Sequence, residues 1–176
     1  MSPGGSLRNG DRGKALPFDP IAKAAQTWSE RVGPNSSMAA VTNVMRVQQI
    51  LQATVDEALK PHGLTFARYE ALVLLSFSRR GSLPMRLMGD RLQLHPTSIT
   101  NIVDRLEADG LARRLPHPND RRTTLVELTD RGEEVVDKAT VAVTDASFGV
   151  VGLDESELTE LAELLTKVRK AAGDFL

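Results

Sequence analysis

Apolar residues along this chain fall mostly at helical spacing, and the points where that spacing breaks divide the chain into successive elements. Asp19 to Val32 reads as a short leading helix closed by Gly33-Pro34. Ser36 or Ser37 is placed to cap a long helix running to Lys60, with Val41, Val44, Met45, Gln48, Leu51, Val55 and Leu59 on one stripe. Pro61 and Gly63 end it, Thr65 can cap a further helix reaching Phe77, and Met85 to Leu92 makes a short one. Gly89 inside this short helix costs about 1 kcal/mol relative to Ala in helix propensity. Its presence there reads either as close approach by a neighbouring backbone or as simple tolerance.

The next stretch, HPTSITNIVDRLEADGLARRLPHPNDRRTTLVELT over residues 95 to 129, changes period midway. Ile99, Ile102, Val103 and Leu106 recur at i, i+3, i+4 and i+7, one side of a helix that starts at Pro96 and stops at Gly110. Thr97, Asn101 and Asp104 point the other way, with Ser98 and Arg105 flanking them. Leu111 to Leu115 and Thr124 to Leu128 then pair as strands, and Pro116 to Asn119 supplies the turn. A helix anchored on one narrow apolar stripe and showing short polar side chains on the other can enter a major groove. The order helix, strand, Arg-bearing turn, strand predicts a winged helix that reads DNA.

The polar residues of this stretch have separable roles. Asn101 is suited to bidentate pairing with adenine, and Thr97 and Ser98 to phosphate or a thymine methyl. Arg105 lies within reach of phosphates, and Arg113 and Arg114 on the first strand join the DNA-facing set. Asp104, repelled by phosphates, is expected to pair with Arg105 or Arg91 or to accept from a cytosine amine. Arg121 and Arg122 sit at or beside the hairpin tip, where a guanidinium can enter a narrow minor groove, and Asp120 can hold that guanidinium in orientation.

Beyond the hairpin, Thr129 starts a helix reaching Val150, and Asp154 with Glu157 forms a capping box for a last one. Leu158, Leu161, Leu165, Val168, Ala172 and Phe175 alternate steps of three and four along it. Such a seam packs either within its own chain or against the matching helix of a second copy. The expected fold class is therefore mainly α with a small β-wing: a winged helix-turn-helix plus N- and C-terminal helices. The expected divisions are a disordered tail at residues 1–18, N-terminal helices at 19–63, the DNA-binding domain at 64–128 and C-terminal helices at 129–176.

The net charge of −1 looks wrong for a DNA binder until it is divided along the chain. Residues 79–126 hold nine Arg, no Lys and five acids, a balance of +4, and the remainder carries −5. Positive charge is thus concentrated on the groove-reading elements, and Arg suits bidentate phosphate and base recognition. Aromatic residues make up only 4% of the chain, which argues against stacking on single-stranded bases as its main business. The chain has no Cys, which excludes disulfides, Cys-ligated zinc and thiol sensing by this protein. No apolar run approaches a membrane span and residues 1–20 lack the core of a signal peptide, so the expected location is the cytoplasm, with no membrane partner.

The helix PTSITNIVDRLEADGL, the run RRLPHPNDRR and the strand closing in LVELTDRG together resemble the multiple antibiotic resistance regulator (MarR) family of winged-helix repressors. The resemblance is strong over residues 65–132, with a weaker match in helical pattern over residues 36–172. It implies that Asp120 is the wing's buttress, Arg122 its minor-groove arginine and Arg121 a phosphate contact. It also implies an obligate homodimer, with N- and C-terminal dimerisation helices at 19–63 and 129–176, on a pseudo-palindromic double-stranded operator with recognition helices about one DNA turn (~34 Å) apart. One branch of the family senses peroxides through Cys, a mechanism this chain lacks the residue for.

Family members usually respond to a small aromatic acid or phenol held between the dimer helices and the DNA-binding lobe. His62, Phe66, Arg68 and Tyr69 cluster where the long helix turns into the next. Arg68 or His62 can pair with a ligand carboxylate while Phe66 and Tyr69 cover its ring, or the four form a satisfied helix-turn cluster. Trp28 either lines a pocket or staples the leading segment to the body. Some relatives with a Trp-bearing leading helix respond to urate, by analogy only. No cofactor is expected, and neither is catalysis. The His residues at 62, 95 and 117 lack HExxH-like spacing, no GxSxG elbow occurs, and a metal bridged by His95 and His117 has no evident further ligand. The rival to a DNA reader is a winged helix used for protein contact, its arginines meeting an acidic partner.

Overall fold

Among the residues described in a computed structural model, 15–79 and 81–176 with Arg121 described by its backbone alone, seven α-helices alternate with three strands. Helix α1 (Pro20–Arg31) and helix α2 (Ser36–Leu59) come first, and a short 3-10 turn (Lys60–His62) leads to α3 (Phe66–Ser76). Strand β1 (Ser82–Pro84), α4 (Met85–Leu92), α5 (Pro96–Ala108), β2 (Ala112–His117) and β3 (Asp120–Leu128) follow, then α6 (Asp130–Asp145) and α7 (Glu155–Ala171). This is the mainly helical, small-sheet class that the sequence predicts. Most of the expected N-terminal tail, residues 1–14, lies outside the described residues. No helix among those described is long and apolar enough to cross a membrane.

The packing divides at Gln49/Ile50, inside α2. In the N-terminal unit Asp19 caps α1, its carboxylate accepting from the amides of Ile21 (2.8 Å) and Ala22 (3.3 Å). The expected cap of α2 is corrected: Ser36 and Ser37 are already helical, and the Asn35 carbonyl accepts from the Ala39 amide. The Asn35 side chain donates to the Ala25 carbonyl at 2.6 Å instead, tying the connection back to α1.

The core belongs to the unit Ile50–Leu176, where Leu59, Leu72, Leu75, Met88, Val103, Leu106 and Val126 have no exposed surface. Of the stripe read along α2, only its C-terminal members Val55 and Leu59 are buried, whereas Val41, Val44 and Met45 are exposed. Thr65 caps α3, and α4 ends at Gln93, a non-glycine residue at φ 54°. There the Leu94 amide donates to the Gly89 carbonyl, and a Cβ on Gly89 would stand 3.3 Å from the Leu94 carbonyl oxygen. Close approach, one of the two readings of Gly89, is what the turn between α4 and α5 requires.

A Schellman turn ends α5. Gly110 adopts φ 70°, its amide donates to the Glu107 carbonyl, and the Leu111 amide donates to that of Leu106. The sheet has three strands in the order β1-β3-β2, all antiparallel. Strand β1, too short to show a period in sequence, pairs with β3 only from Leu125 to Glu127. Next comes the tightest contact of the fold. The Thr129 hydroxyl accepts from the Gly132 amide and donates to the Gly110 carbonyl. A Cβ on Gly132 would fall 2.0 Å from the Leu111 carbonyl oxygen, so the first turn of α6 lies directly on the start of β2.

The expectation that the helix after the wing runs to Val150 is corrected. Helix α6 ends at Asp145, and Ser147, Phe148 and Gly149 all take positive φ. The turn brings Gly149 against α2, where a Cβ would meet the Thr54 Cβ at 3.0 Å and the Leu51 Cα at 3.3 Å. The capping box of α7 is present in both directions, Glu157 amide to Asp154 and Asp154 amide to Glu157, each at 2.9 Å. None of α7 is buried. Val168 keeps 67% of its surface and Leu161 38%, and Leu158 alone of the seam's leucines is half-buried, so the seam joins no buried core.

Candidate nucleic-acid interface

The buried stripe of α5 fixes which residues it presents. Ile99, Val103 and Leu106 face the core and Ile102 is half-buried, which turns Thr97, Ser98, Asn101, Asp104 and Arg105 outward, all exposed. At the N-terminus the His95 ring nitrogen Nδ1 accepts from the Thr97 amide at 3.3 Å, satisfying one of the unpaired donors of the first turn. On β2, His117 Nδ1 accepts in the same way from the Asn119 amide. His95 and His117 therefore each have a local task. Among the described residues no group of His, Cys, Asp and Glu could hold a metal ion.

The hairpin turn is tighter than the sequence suggests, with Pro118 and Asn119 alone between the strands. The strands are not in simple register, however. His117 pairs with Asp120 while Pro116 pairs with Thr124, leaving Arg121, Arg122 and Thr123 as a bulge on β3. Asp120 organises that bulge: one carboxylate oxygen accepts from the Arg122 amide at 2.9 Å and the other from the Thr123 hydroxyl at 2.7 Å. This corrects the expected arrangement, since Asp120 holds the backbone of Arg122 and not its guanidinium. The Thr123 hydroxyl, followed by the Arg122 amide, keeps the Asp120 carboxyl below its ordinary pKa. The side chain of Arg121 lies outside the described residues.

Strand alternation sends the neighbouring arginines of β2 to opposite faces. Arg113 lies directly across from Glu127 and pairs with its carboxylate. Arg114 turns to α5, where its guanidinium meets Asp104 at 2.6 Å through Nη2 and Glu107 through Nη1. Its amide also donates to Glu107 at 2.9 Å. Burial alone would lower the Arg114 pKa, but the hydrogen bonds and charges of the two carboxylates more than offset that and leave it raised. Asp104 is thus paired with Arg114 and not with Arg105 or Arg91. Among the described residues no ion pair engages Arg105 or Arg122.

Sequence reasoning missed Glu107 and Glu127 as partners. Two signals were available for them: residues 104 and 107 share a helix face at i, i+3, and a strand returning after Gly110 runs back along that helix.

Three of the four residues read as a ligand cluster, Phe66, Arg68 and Tyr69, have protein partners. Arg68 pairs with Asp109, the C-cap of α5, at 3.0 Å. The Tyr69 hydroxyl donates to Thr140 Oγ1 at 3.1 Å, and its ring stacks on Phe66 with centroids 6.4 Å apart. His62 is half-buried at the end of the 3-10 turn. Only Tyr69 of these lines the cavity of about 330 Å³ between α3 and α6, together with Val73, Phe77, Val136, Thr140 and Val141. Trp28 is partly exposed and lines a separate groove of about 470 Å³ within the N-terminal unit, with Phe18, Lys23 and Arg31.

Comparison with known proteins agrees with this geometry. The sequence model of the MarR family matches residues 65–124. Sco5413, a MarR family transcriptional regulator from Streptomyces coelicolor, is 52% identical, the match covering 79% of this chain and 96% of that one with a TM-score of 0.73. Sco3205, a MarR family transcriptional regulator from the same organism crystallised in complex with DNA, is 25% identical over 77% of this chain and 90% of its own, with a TM-score of 0.72. CouR from Rhodococcus jostii RHA1, bound to p-coumaroyl-CoA, is 28% identical over 76% and 91% of the two chains, with a TM-score of 0.64. A recognition helix, an arginine-bearing wing and a relative that shares half of its aligned residues lead to one assignment: this chain belongs to the MarR family of transcriptional regulators.

Proposed function

We propose that this regulator is a repressor that binds a pseudo-palindromic duplex operator as a homodimer and leaves it when a small aromatic effector binds. The observation that carries the reading is the division of labour on α5 and β3. One face of α5 is sealed into the core, while Thr97, Ser98, Asn101, Arg105 and the bulge-borne Arg122 stay exposed. Asn101 pairs with adenine, Thr97 and Ser98 meet phosphate or a thymine methyl, Arg105 meets phosphate, and Arg122 enters the minor groove. Arg121 is assigned to a phosphate. Arg113 is neutralised by Glu127 and contributes less. Sco3205, crystallised in complex with DNA, supports DNA as the partner of this fold.

Dimer formation is supported by the exposed seam of α7, an apolar surface that a single chain leaves uncovered. The effector reading is supported by the aromatic acyl ligand of CouR, and the α3–α6 cavity beside Tyr69 and Phe77 suits one ring. Such a molecule acts only if it binds the DNA-incompetent arrangement more tightly than the competent one.

Selecting bound sequences from random duplex DNA tests the reading. A pseudo-palindrome with half-sites about one turn apart is expected, binding more tightly than random duplex and weakening steeply with salt. Retention of an acidic protein with no duplex preference identifies the protein-contact alternative. Titrating aromatic acids into the operator complex, with release as the readout, tests the effector.

A further inference from the structure

We infer that Arg114 is a positioning residue for DNA reading: it sets the angle of the wing, and with it Arg122, against the recognition helix, and does not itself touch DNA. The inference rests on the DNA-binding reading above. Beyond Leu125 the wing consists of β2 and β3 alone, because β1 pairs only with Leu125 to Glu127. A two-stranded ribbon is marginal on its own and its direction is poorly fixed. Arg114 lies opposite Val126, at the base of that ribbon, and ties it to α5 through the Asp104 contact, the Glu107 contact and its own amide on Glu107.

A guanidinium fork spanning two carboxylates one helical turn apart is a rigid link, which an ammonium cannot reproduce. The side chain is only 28% exposed, with its donors directed at α5 and not at solvent. Every residue of the outer wing, the Arg122 bulge included, therefore inherits its direction from this link. The same link neutralises Asp104, which otherwise presents a bare carboxylate on the DNA side of α5.

The test is operator affinity across a salt series for the parent, Arg114→Met, Arg122→Ala, the double variant and Glu107→Ala. Positioning predicts that Arg114→Met weakens binding about tenfold in the parent but less than about twofold once Arg122 is gone, since the two act through one contact. Glu107→Ala, which leaves Arg114 in place and frees it, also weakens binding. An equal loss in both backgrounds, with the salt dependence reduced by about one charge, makes Arg114 a phosphate contact and overturns the inference. Binding by Glu107→Ala at or above the parent's affinity, or full affinity of Arg114→Met, overturns it as well. A parent that binds no duplex defeats the underlying reading and this one together, whereas those patterns in a DNA-binding parent defeat this one alone.

Discussion

The wing and recognition helix on one side, and the last helix on the other, are built to opposite rules. In the first, nearly every charge near the α5–β2 junction has a protein partner: Arg114 with Asp104 and Glu107, Arg113 with Glu127, Arg68 with Asp109. The side chains left exposed there are those suited to DNA. In the second, α7 is capped at both ends and well formed, yet it buries none of its leucines. A fully buried leucine contributes about 1.5–3 kcal/mol, so α7 forgoes the main stabilising term that α5 has already collected within one chain. The α5 face and the Asp120 bulge are ordered by contacts within one chain, whereas the apolar seam of α7 is left exposed, the surface that the proposed dimer would cover.

The largest effect that sharpens this contrast is expected beneath the reading surface, where α6 starts against β2. Gly132→Ala places a methyl group against the Leu111 carbonyl at the junction of β2 and α6, and the turn cannot retreat without breaking the Thr129 hydrogen bonds. Urea unfolding should show a loss on the order of 3 kcal/mol or more, the upper range for overpacking. A loss below about 1 kcal/mol means the junction is looser than described.

Replacing Leu165 and Val168 by Asp attacks the other region. Little is lost from the core of one chain, but paired binding is. Sedimentation should report single chains, and operator affinity should fall about a hundredfold or more as the second half-site stops helping the first. Retention of the dimer by this variant breaks the comparison, because α7 would then owe its exposure to something other than a missing partner.

Arg122→Ala separates function from stability within the wing. Its side chain is exposed and packs against nothing that the core needs, so the melting temperature should stay within error while operator affinity drops about tenfold, the scale of one good groove contact. Equal affinity of variant and parent at matched salt removes Arg122 from the interface.

The smallest expected effect is one of pH. The Thr123 hydroxyl, then the Arg122 amide, holds the Asp120 carboxyl below its ordinary range. Its contribution to the bulge is therefore fully present above the ordinary carboxylate pKa and is lost only as pH falls through the lowered folded value. Thr123→Val should move the Asp120 titration midpoint upward in a carboxyl NMR experiment; an unmoved midpoint assigns the shift elsewhere.

Period and caps made most of the fold legible in the sequence. The stripe of α5, its stop at Gly110, the capping box of α7 and the span of α4 follow from local rules, and each appears where those rules place it. The misses share a different cause. Strand β1 is three residues long and exists only because β3 offers it an edge, α6 stops at Asp145 because Gly149 must meet α2, and the Arg122 bulge depends on how two strands shift past one another. Those are settled by contacts between elements distant in sequence, which periodicity does not register. The candidate site was legible in the same proportion. The outward face of α5 could be read directly, but whether Arg113 and Arg114 are free or paired depends on where β2 lies against its neighbours.

The mass of the chain bound to its selected duplex, measured by sedimentation with the chain alone as reference, tests the central claim most directly. The account predicts two chains per pseudo-palindromic duplex, and no comparably tight complex on a duplex carrying one half-site. A single chain that holds one half-site with the affinity of the full operator would contradict it.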